Sequence, residues 1–348
     1  MGMSKSSTLE GTASTVEEPF PGGREVIVRA FQARHIPEEA LHLMVSSLRL
    51  SSLKQYDCAL RKWWNFCRRK KINPFQPSME EVIEILAEEF KGGAAHGSLN
   101  SLRSAISLVV GPHVGQDFHI RRLFKGISEL RPSRPKYDHT WDPKVVLDYF
   151  DKLDDNENMP LGLLSGKLIT LLALITGQRM QTLSLIKLQN IERSQDVVQV
   201  KIPDIIKTSG RNRSQPLLLL PKYEINEKIC VVRTLDNYLQ RTDRIRGQVD
   251  SLFVSLKKPI REVSAGTLAK WTKNVLKASG VDTQVFSAHS TRHASTSAAK
   301  QKGLGIDSIR KAAGWSEKSK TFARFYDLPV VPDNTAFANA IYEKAVLF

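Results

Sequence analysis

Between residues 131 and 136 the chain reads Arg131-Pro132-Ser133-Arg134-Pro135-Lys136. No helix runs through it, because proline lacks the N–H that an interior turn needs and drives the residue before it into extended backbone. The run parts two stretches of different pattern. Upstream, from Ile36 to Leu130, apolar residues recur at helical spacing, as in Leu41, Met44 and Leu48 and again in Val82, Ile85, Leu86 and Phe90. Downstream, helical stretches alternate with β-prone ones. A chain of 348 residues exceeds what one core usually serves, so the proline run is the expected boundary. The division predicted is a flexible tail over 1–32, rich in Ser, Thr, Glu, Gly and Pro, a helical domain over 33–130, a linker over 131–139, and a second domain over 140–348.

In the first domain, Leu50-Ser51-Ser52 leads into a helix carrying Tyr56, Leu60, Trp63, Trp64 and Cys67, and Pro77-Ser78 opens the next. In the second, 143–153 and 161–176 read as helices, the latter apolar enough to be buried on every side. The runs 197–206 and 215–220, joined by Thr208-Ser209-Gly210-Arg211-Asn212-Arg213, read as a β-hairpin, and helices follow over 229–240 and 266–278. The fold class expected is mostly α with a small antiparallel β-sheet.

The 41% hydrophobic and 25% charged fractions are those of a globular protein with a sizeable core. Lys and Arg exceed Asp and Glu by 51 to 36, for a formal charge of +15, which favours a polyanion such as nucleic acid as partner without establishing one. Cys58, Cys67 and Cys230 lack the paired spacing of a zinc site or a disulfide framework and read as thiols in a reducing compartment. No apolar run approaches the ~20 residues of a membrane span, and the N-terminus has no signal-peptide core. An intracellular protein with no membrane partner is expected.

Five segments of the second domain carry the chemistry: Thr176-Gly177-Gln178-Arg179-Met180, the hairpin residue Lys207, Ala288-His289-Ser290-Thr291-Arg292-His293, Gly314-Trp315-Ser316, and Phe325-Tyr326-Asp327-Leu328-Pro329. In this order they resemble the catalytic domain of the tyrosine recombinase family. The first domain is similar to that family's helical, SAM-like core-binding domain, including the run Leu102-Arg103-Ser104-Ala105-Ile106. Within the family, His289-Ser290-Thr291-Arg292-His293, Ala313-Gly314-Trp315-Ser316 and Arg324-Phe325-Tyr326-Asp327-Leu328-Pro329-Val330 most resemble the recombinases of DIRS-type and Ngaro-type retroelements and of Cryptons. The resemblance implies site-specific strand exchange on double-stranded DNA through a 3′-phosphotyrosyl intermediate, in a homotetramer when two duplexes are synapsed, and a nuclear location for a eukaryotic element. Two departures stand out: Thr182 occupies a position where a carboxylate is common, and the stretch from Trp315 to Tyr326 is slightly longer than usual.

The residue types suit that chemistry. Moving a DNA phosphodiester onto an enzyme hydroxyl concentrates negative charge on the non-bridging oxygens, and arginine's planar, permanently charged fork meets them two at a time. Arg179 and Arg292 are the expected clamp. Tyr326 matches the family nucleophile; a phenol near pKa 10 attacks well only when positioned and relieved of its proton, and His289, three residues before Arg292 on one helical face, is placed to accept it. Lys207 is the candidate acid for the departing 5′ oxygen. Trp315 can donate its indole N–H to the phosphate but cannot carry a proton onward. No acidic cluster with metal-ligand spacing and no Gly-rich phosphate loop accompanies them, so neither a metal nor another cofactor is expected.

For DNA contacts the candidates are Lys54, Arg103, Lys270 and Lys273, in segments resembling DNA-facing helices, with Arg211 and Arg213 in the hairpin turn touching backbone. The basic helix with Arg61, Lys62, Arg68, Arg69, Lys70 and Lys71 reads equally as a phosphate-lining face or a solvated one. The apolar C-terminal stretch with Phe337, Ile341 and Val346 is a helix that docks either on a neighbouring protomer or on its own domain, and Tyr342 within it lacks the neighbours of a nucleophile. Two competing readings stay open: a type IB topoisomerase with the same catalytic groups, and a transposon-derived DNA-binding protein that has lost its chemistry.

Overall fold

The computed structural model describes residues 18–132, 136–210, 215–316, 323 and 325–330, so Arg211, Arg213, Arg324, Tyr342 and the C-terminal stretch lie outside the described residues. The chain divides into two compact units, Met1–Arg134 and Pro135–Phe348, each with its own hydrophobic core.

The first unit is helical: α1 Gly23–Gln32, α2 Glu38–Ser46, α3 Leu50–Lys70, α4 Met79–Lys91, α5 His96–Val110, α6 His113–Gln116 and α7 Phe118–Leu130. The first of these corrects the expected tail over 1–32. Val26, Ile27, Ala30 and Phe31 form a buried stripe along α1, short enough to be hidden by the Gly and Pro just before it, and α1 packs on α3 and α5. Gly23 donates its N–H to Asp57 Oδ1 at 2.7 Å, and a Cβ there would stand 2.8 Å from the Asp57 Cα. In α3, Leu60, Trp63, Trp64 and Cys67 are buried together, with the Trp63 indole donating to Pro74 O at 3.0 Å. Ser78 and Glu81 start α4 with a reciprocal capping box. On the outer side, Lys62, Arg69 and Lys70 pair with Glu89, Glu88 and Glu84 of α4, so that face of α3 is partly neutralised within the unit.

The second unit is built on α9, Leu161–Thr176, buried over nearly its whole circumference among α11 Val231–Arg246, α12 Ala265–Ala278 and α13 Ser290–Gln301. Around this centre lie α8 Pro143–Asp151, α10 Met180–Leu183 and α14 Ile306–Ala312. The expected hairpin is two strands of a three-stranded antiparallel sheet, β1 Ile191–Arg193, β2 Val197–Lys201 and β3 Leu217–Pro221 in that order. Val198 lies opposite Leu220 and Val200 opposite Leu218, all four buried, which is the period-two pattern of a sheet packed on one face. Strand β2 stops sooner than its apolar run suggests, since Pro203 offers no N–H for pairing. The fold is mostly α with a small antiparallel sheet, as its sequence pattern indicates.

Cys67 and Cys230 are buried free thiols and Cys58 an exposed one. Among the described residues no helix is long and apolar enough to cross a membrane, and no cluster of His, Cys, Asp or Glu could hold a metal ion.

Candidate active site

The site grows from the first turns of α13. His289 is its N-cap residue and Arg292 stands three residues on, in the first turn. Three structural features bring the remaining pieces to them. Gly177 ends α9 in the left-handed region, φ 58°, which turns the chain so that Arg179 starts α10. Gly314, φ 66°, closes α14 in the same way, and the Trp315 N–H returns to Arg310 O at 2.9 Å. Gln178 Nε2 ties the two turns together by donating to Ala312 O at 2.8 Å. Finally, the segment carrying Tyr326 is pinned on α13: Ser297 Oγ donates to Tyr326 O at 2.6 Å and accepts from the Leu328 N–H at 3.2 Å. Beyond it, the Thr140 N–H donates to Pro329 O at 2.9 Å.

The longer approach from Trp315 does not keep the tyrosine away. The Tyr326 hydroxyl lies 2.9 Å from His289 Nε2, inside the range for proton transfer. Tyr326 is 8% exposed, and its ring meets the Trp315 ring at 4.8 Å and the Arg292 guanidinium carbon at 5.6 Å. A cavity of about 300 Å³ opens beside it, lined by Lys136, Tyr137, Ser287, His289, His293, Phe325 and Tyr326.

Arg292 is wholly buried. Its Nη1 and Nη2 donate to Gly177 O at 2.6 Å and Ala313 O at 2.7 Å, and its guanidinium carbon lies 4.3 Å from the Trp315 ring centroid. Neither Arg292 nor the half-buried Arg179 is paired with a carboxylate among the described residues, and no carboxylate replaces the one expected at Thr182, itself buried. Two carbonyls and an aromatic face satisfy part of a buried guanidinium, but they leave its charge unneutralised. Burial, and then the charge of Arg179, pull its pKa down to about 9, so it is still cationic at neutral pH. The pair makes a positive well that a phosphate would fill.

Those cations act on the histidines. Desolvation of His289, followed by the charges of Arg292, Arg179, Lys136 and Lys207, pushes its pKa down to about 4, although part of the residue's surface is exposed. Neutral at pH 7, it can take a proton at Nε2 when its own proton sits on Nδ1. Burial and the neighbouring His289 likewise hold His293 at about 4.

The structure thus gathers His289, Arg292, Trp315 and Tyr326 in direct contact, with Arg179 near enough for its charge to be felt. Lys207 is exposed on a turn closed by hydrogen bonds between Ile206 and Ser209, and it reaches the group through its charge alone. Of the DNA-contact candidates, Lys54, Lys270 and Lys273 are exposed, whereas Arg103 is half-buried, donating to Asn100 Oδ1 at 2.6 Å and lying 4.6 Å over the Phe124 ring. Sequence reasoning passed over Ser297, Gln178 and His293. Spacing offered a signal for two of them, since His289, His293 and Ser297 recur every fourth residue and share a face of α13.

Comparisons with known proteins bear on the family and the fold. A family profile described as the phage integrase family matches residues 153–329. No curated protein matches the sequence. Among solved structures, the fold is similar to the XerH site-specific recombinase bound to its difH substrate, at 14% identity and TM-score 0.58 over 96% of this chain and 98% of that one. The Tn1549 transposon integrase in complex with transposon right-end DNA matches at 14% identity and 0.50 over 94% and 99%. The lambda integrase tetramer bound to a Holliday junction matches at 16% and 0.50 over 87% and 77%. At such identities these likenesses speak for the fold alone, a helical unit followed by a mostly helical one with a small sheet. The profile spans more than half of the chain and runs from the end of α8 through the buried tyrosine, so the chain belongs to the phage integrase family, the tyrosine recombinases of site-specific recombination and integration, which cleave and rejoin DNA.

Proposed function

We propose that this chain exchanges DNA strands with Tyr326 as its nucleophile, and the observation that carries the reading is the Tyr326 hydroxyl 2.9 Å from the Nε2 of a neutral His289. The phenol oxygen attacks the scissile phosphorus as His289 takes its proton. Arg179 and Arg292 hold the non-bridging oxygens, Trp315 keeps the Arg292 fork flat beneath them, and Lys207 protonates the departing 5′ oxygen. A 5′ hydroxyl of a second strand then attacks the 3′-phosphotyrosyl bond and returns the tyrosine. None of these steps consumes a nucleotide cofactor, because the energy of the broken bond is kept in the covalent intermediate. Lys54, Lys270 and Lys273 are exposed cations suited to duplex backbone; Arg103, Arg211 and Arg213 complete the contacts assigned.

The finer reading is a mobile-element recombinase of the DIRS, Ngaro or Crypton kind, working in the nucleus as a tetramer on paired duplexes. It is supported by the motifs around His289, Trp315 and Tyr326 and by the tetramer that the lambda integrase forms on a Holliday junction. The test is to incubate the protein with a nicked suicide duplex bearing its element's own termini and resolve the products on a denaturing gel. A covalent adduct that vanishes in Tyr326→Phe is expected. Intact duplex binding with no adduct from the wild-type chain would favour a binder without chemistry, and relaxation of supercoils by single protomers would favour a topoisomerase.

A further inference from the structure

The ring stacked on Tyr326 belongs to a residue without a part in the reaction above. His293 lies flat on Tyr326, with ring centroids 4.1 Å apart and planes 15° from parallel. It is 8% exposed, and its Nδ1 is buried with no hydrogen-bond partner, an arrangement that costs free energy and persists only when something else requires the ring there. Tyr137 abuts its edge at 5.1 Å, 82° between planes, and Tyr137 is itself fixed by Ser287, whose Oγ lies 3.0 Å from the phenol oxygen and whose N–H donates to it at 3.2 Å. Ser287 precedes His289 by two residues, so the same loop fixes both the ring behind Tyr326 and the acceptor in front of it.

We propose that His293 is a positioning residue for the nucleophile: pressed between Tyr137 and Tyr326, its imidazole face blocks rotation of the tyrosine about Cα–Cβ and so keeps the hydroxyl on His289 Nε2. The proposal rests on Tyr326 being the nucleophile. Trp315, tilted by 56° on the tyrosine, cannot do this alone, since a tilted contact leaves room for the ring to swing. What His293 contributes is a flat face of the right size. The ring also hydrogen-bonds the backbone of Phe325, and in its neutral state it adds no charge beside a phenol that must lose its proton. The histidine matters through geometry, and an aromatic ring without nitrogen should replace it.

The test uses the full-length protein in excess over the nicked duplex, following formation of the covalent adduct in a single turnover, with binding measured separately by fluorescence anisotropy. His293→Gln keeps a polar side chain of similar length but no ring face. It should slow adduct formation at least about tenfold, a typical cost of a misplaced reacting atom, while the dissociation constant stays within about threefold. His293→Phe should recover the rate to within about threefold of wild type, because stacking survives the loss of both nitrogens. A second readout needs no turnover: the NMR signals of the Tyr326 ring, identified by their loss in Tyr326→Phe, should move on removing the stack in His293→Gln and stay near their place in His293→Phe. The proposal is overturned if His293→Gln cleaves as fast as wild type, if His293→Phe is as slow as His293→Gln, or if the rate falls only in step with lost binding or a lower melting temperature. An adduct that persists in Tyr326→Phe would remove the nucleophile itself, an outcome visible in that variant alone and separable from every result with His293.

Discussion

At the scale of single residues, the most consequential fact is a buried arginine whose charge meets no carboxylate among the described residues. Arg292 spends two N–H groups on Gly177 O and Ala313 O and lies on the Trp315 face. A lysine cannot reach two carbonyls in diverging directions and lie flat on an indole at once. Arg292→Lys should therefore slow cleavage at least about 10²-fold, as loss of a preorganised charge donor does, and a single-turnover rate like that of wild type would refute the role. The histidines give a pH dependence. His289 and His293 are held at about 4, below their ordinary 6.5, so between those values the unfolded chain binds more protons than the folded one. Their contribution to stability is complete above pH 6.5 and is lost as pH falls toward 4. The melting temperature should drop through that window, and the cleavage rate should drop with it as protonation removes the His289 acceptor. A bound phosphate, being anionic, favours the protonated imidazole, so the kinetic midpoint should lie above 4. A rate that is flat down to pH 4 would exclude His289 as the base.

At the scale of elements, the site depends on how α13 holds the segment that carries Tyr326. Ser297 is the hinge pin: one buried hydroxyl serves a carbonyl and an N–H of that segment. Ser297→Ala leaves both backbone groups unsatisfied, which should cost about 1–3 kcal/mol where they are buried, read as a lower melting temperature, and should slow cleavage because Tyr326 is no longer fixed. A variant with normal melting and normal cleavage would show that the segment is held by other contacts, such as Thr140 on Pro329. The side chains that the structure gathers were legible as candidates in the sequence, since Arg179, His289, Arg292, Trp315 and Tyr326 each stand in a recognisable run. Their partners were not, because Gly177 O and Ala313 O are backbone atoms that every residue possesses, and no side-chain type marks which carbonyl will face a guanidinium. Ser297 and His293 were half legible, by their spacing from His289 alone. Helix α1 was missed for another reason: four buried apolar side chains within ten residues are too few to show a period when Pro19, Pro21, Gly22 and Gly23 precede them. The early end of β2 follows from Pro203, which an apolar count overlooks.

At the scale of the whole molecule, the question is how much of the +15 formal charge is available to DNA. Charge counted along a sequence overstates it, because the most basic run, on α3, is partly engaged with the carboxylates of α4: Lys62 with Glu89, Arg69 with Glu88, Lys70 with Glu84. Exposed pairs of this kind contribute only about 0–1 kcal/mol each to folding, yet a cation already facing a carboxylate brings little net charge with which to displace a counterion from a phosphate. Lys54, Lys270 and Lys273, by contrast, are exposed and have no carboxylate partner among the described residues. Counterion release converts this difference into a measurement. If a lysine neutralises one phosphate, its replacement by alanine lowers the slope of log K against log salt by about 0.9. Titrating duplex DNA by anisotropy between 50 and 200 mM KCl, a range over which ~6–10 phosphate contacts change affinity by about 10³–10⁵, should give that reduction for Lys54→Ala, Lys270→Ala and Lys273→Ala. Arg69→Ala and Lys70→Ala should leave the slope unchanged. The reverse pattern would mean that the α4 carboxylates release α3 when DNA arrives, turning the ion pairs of the free protein into a reserve of phosphate contacts.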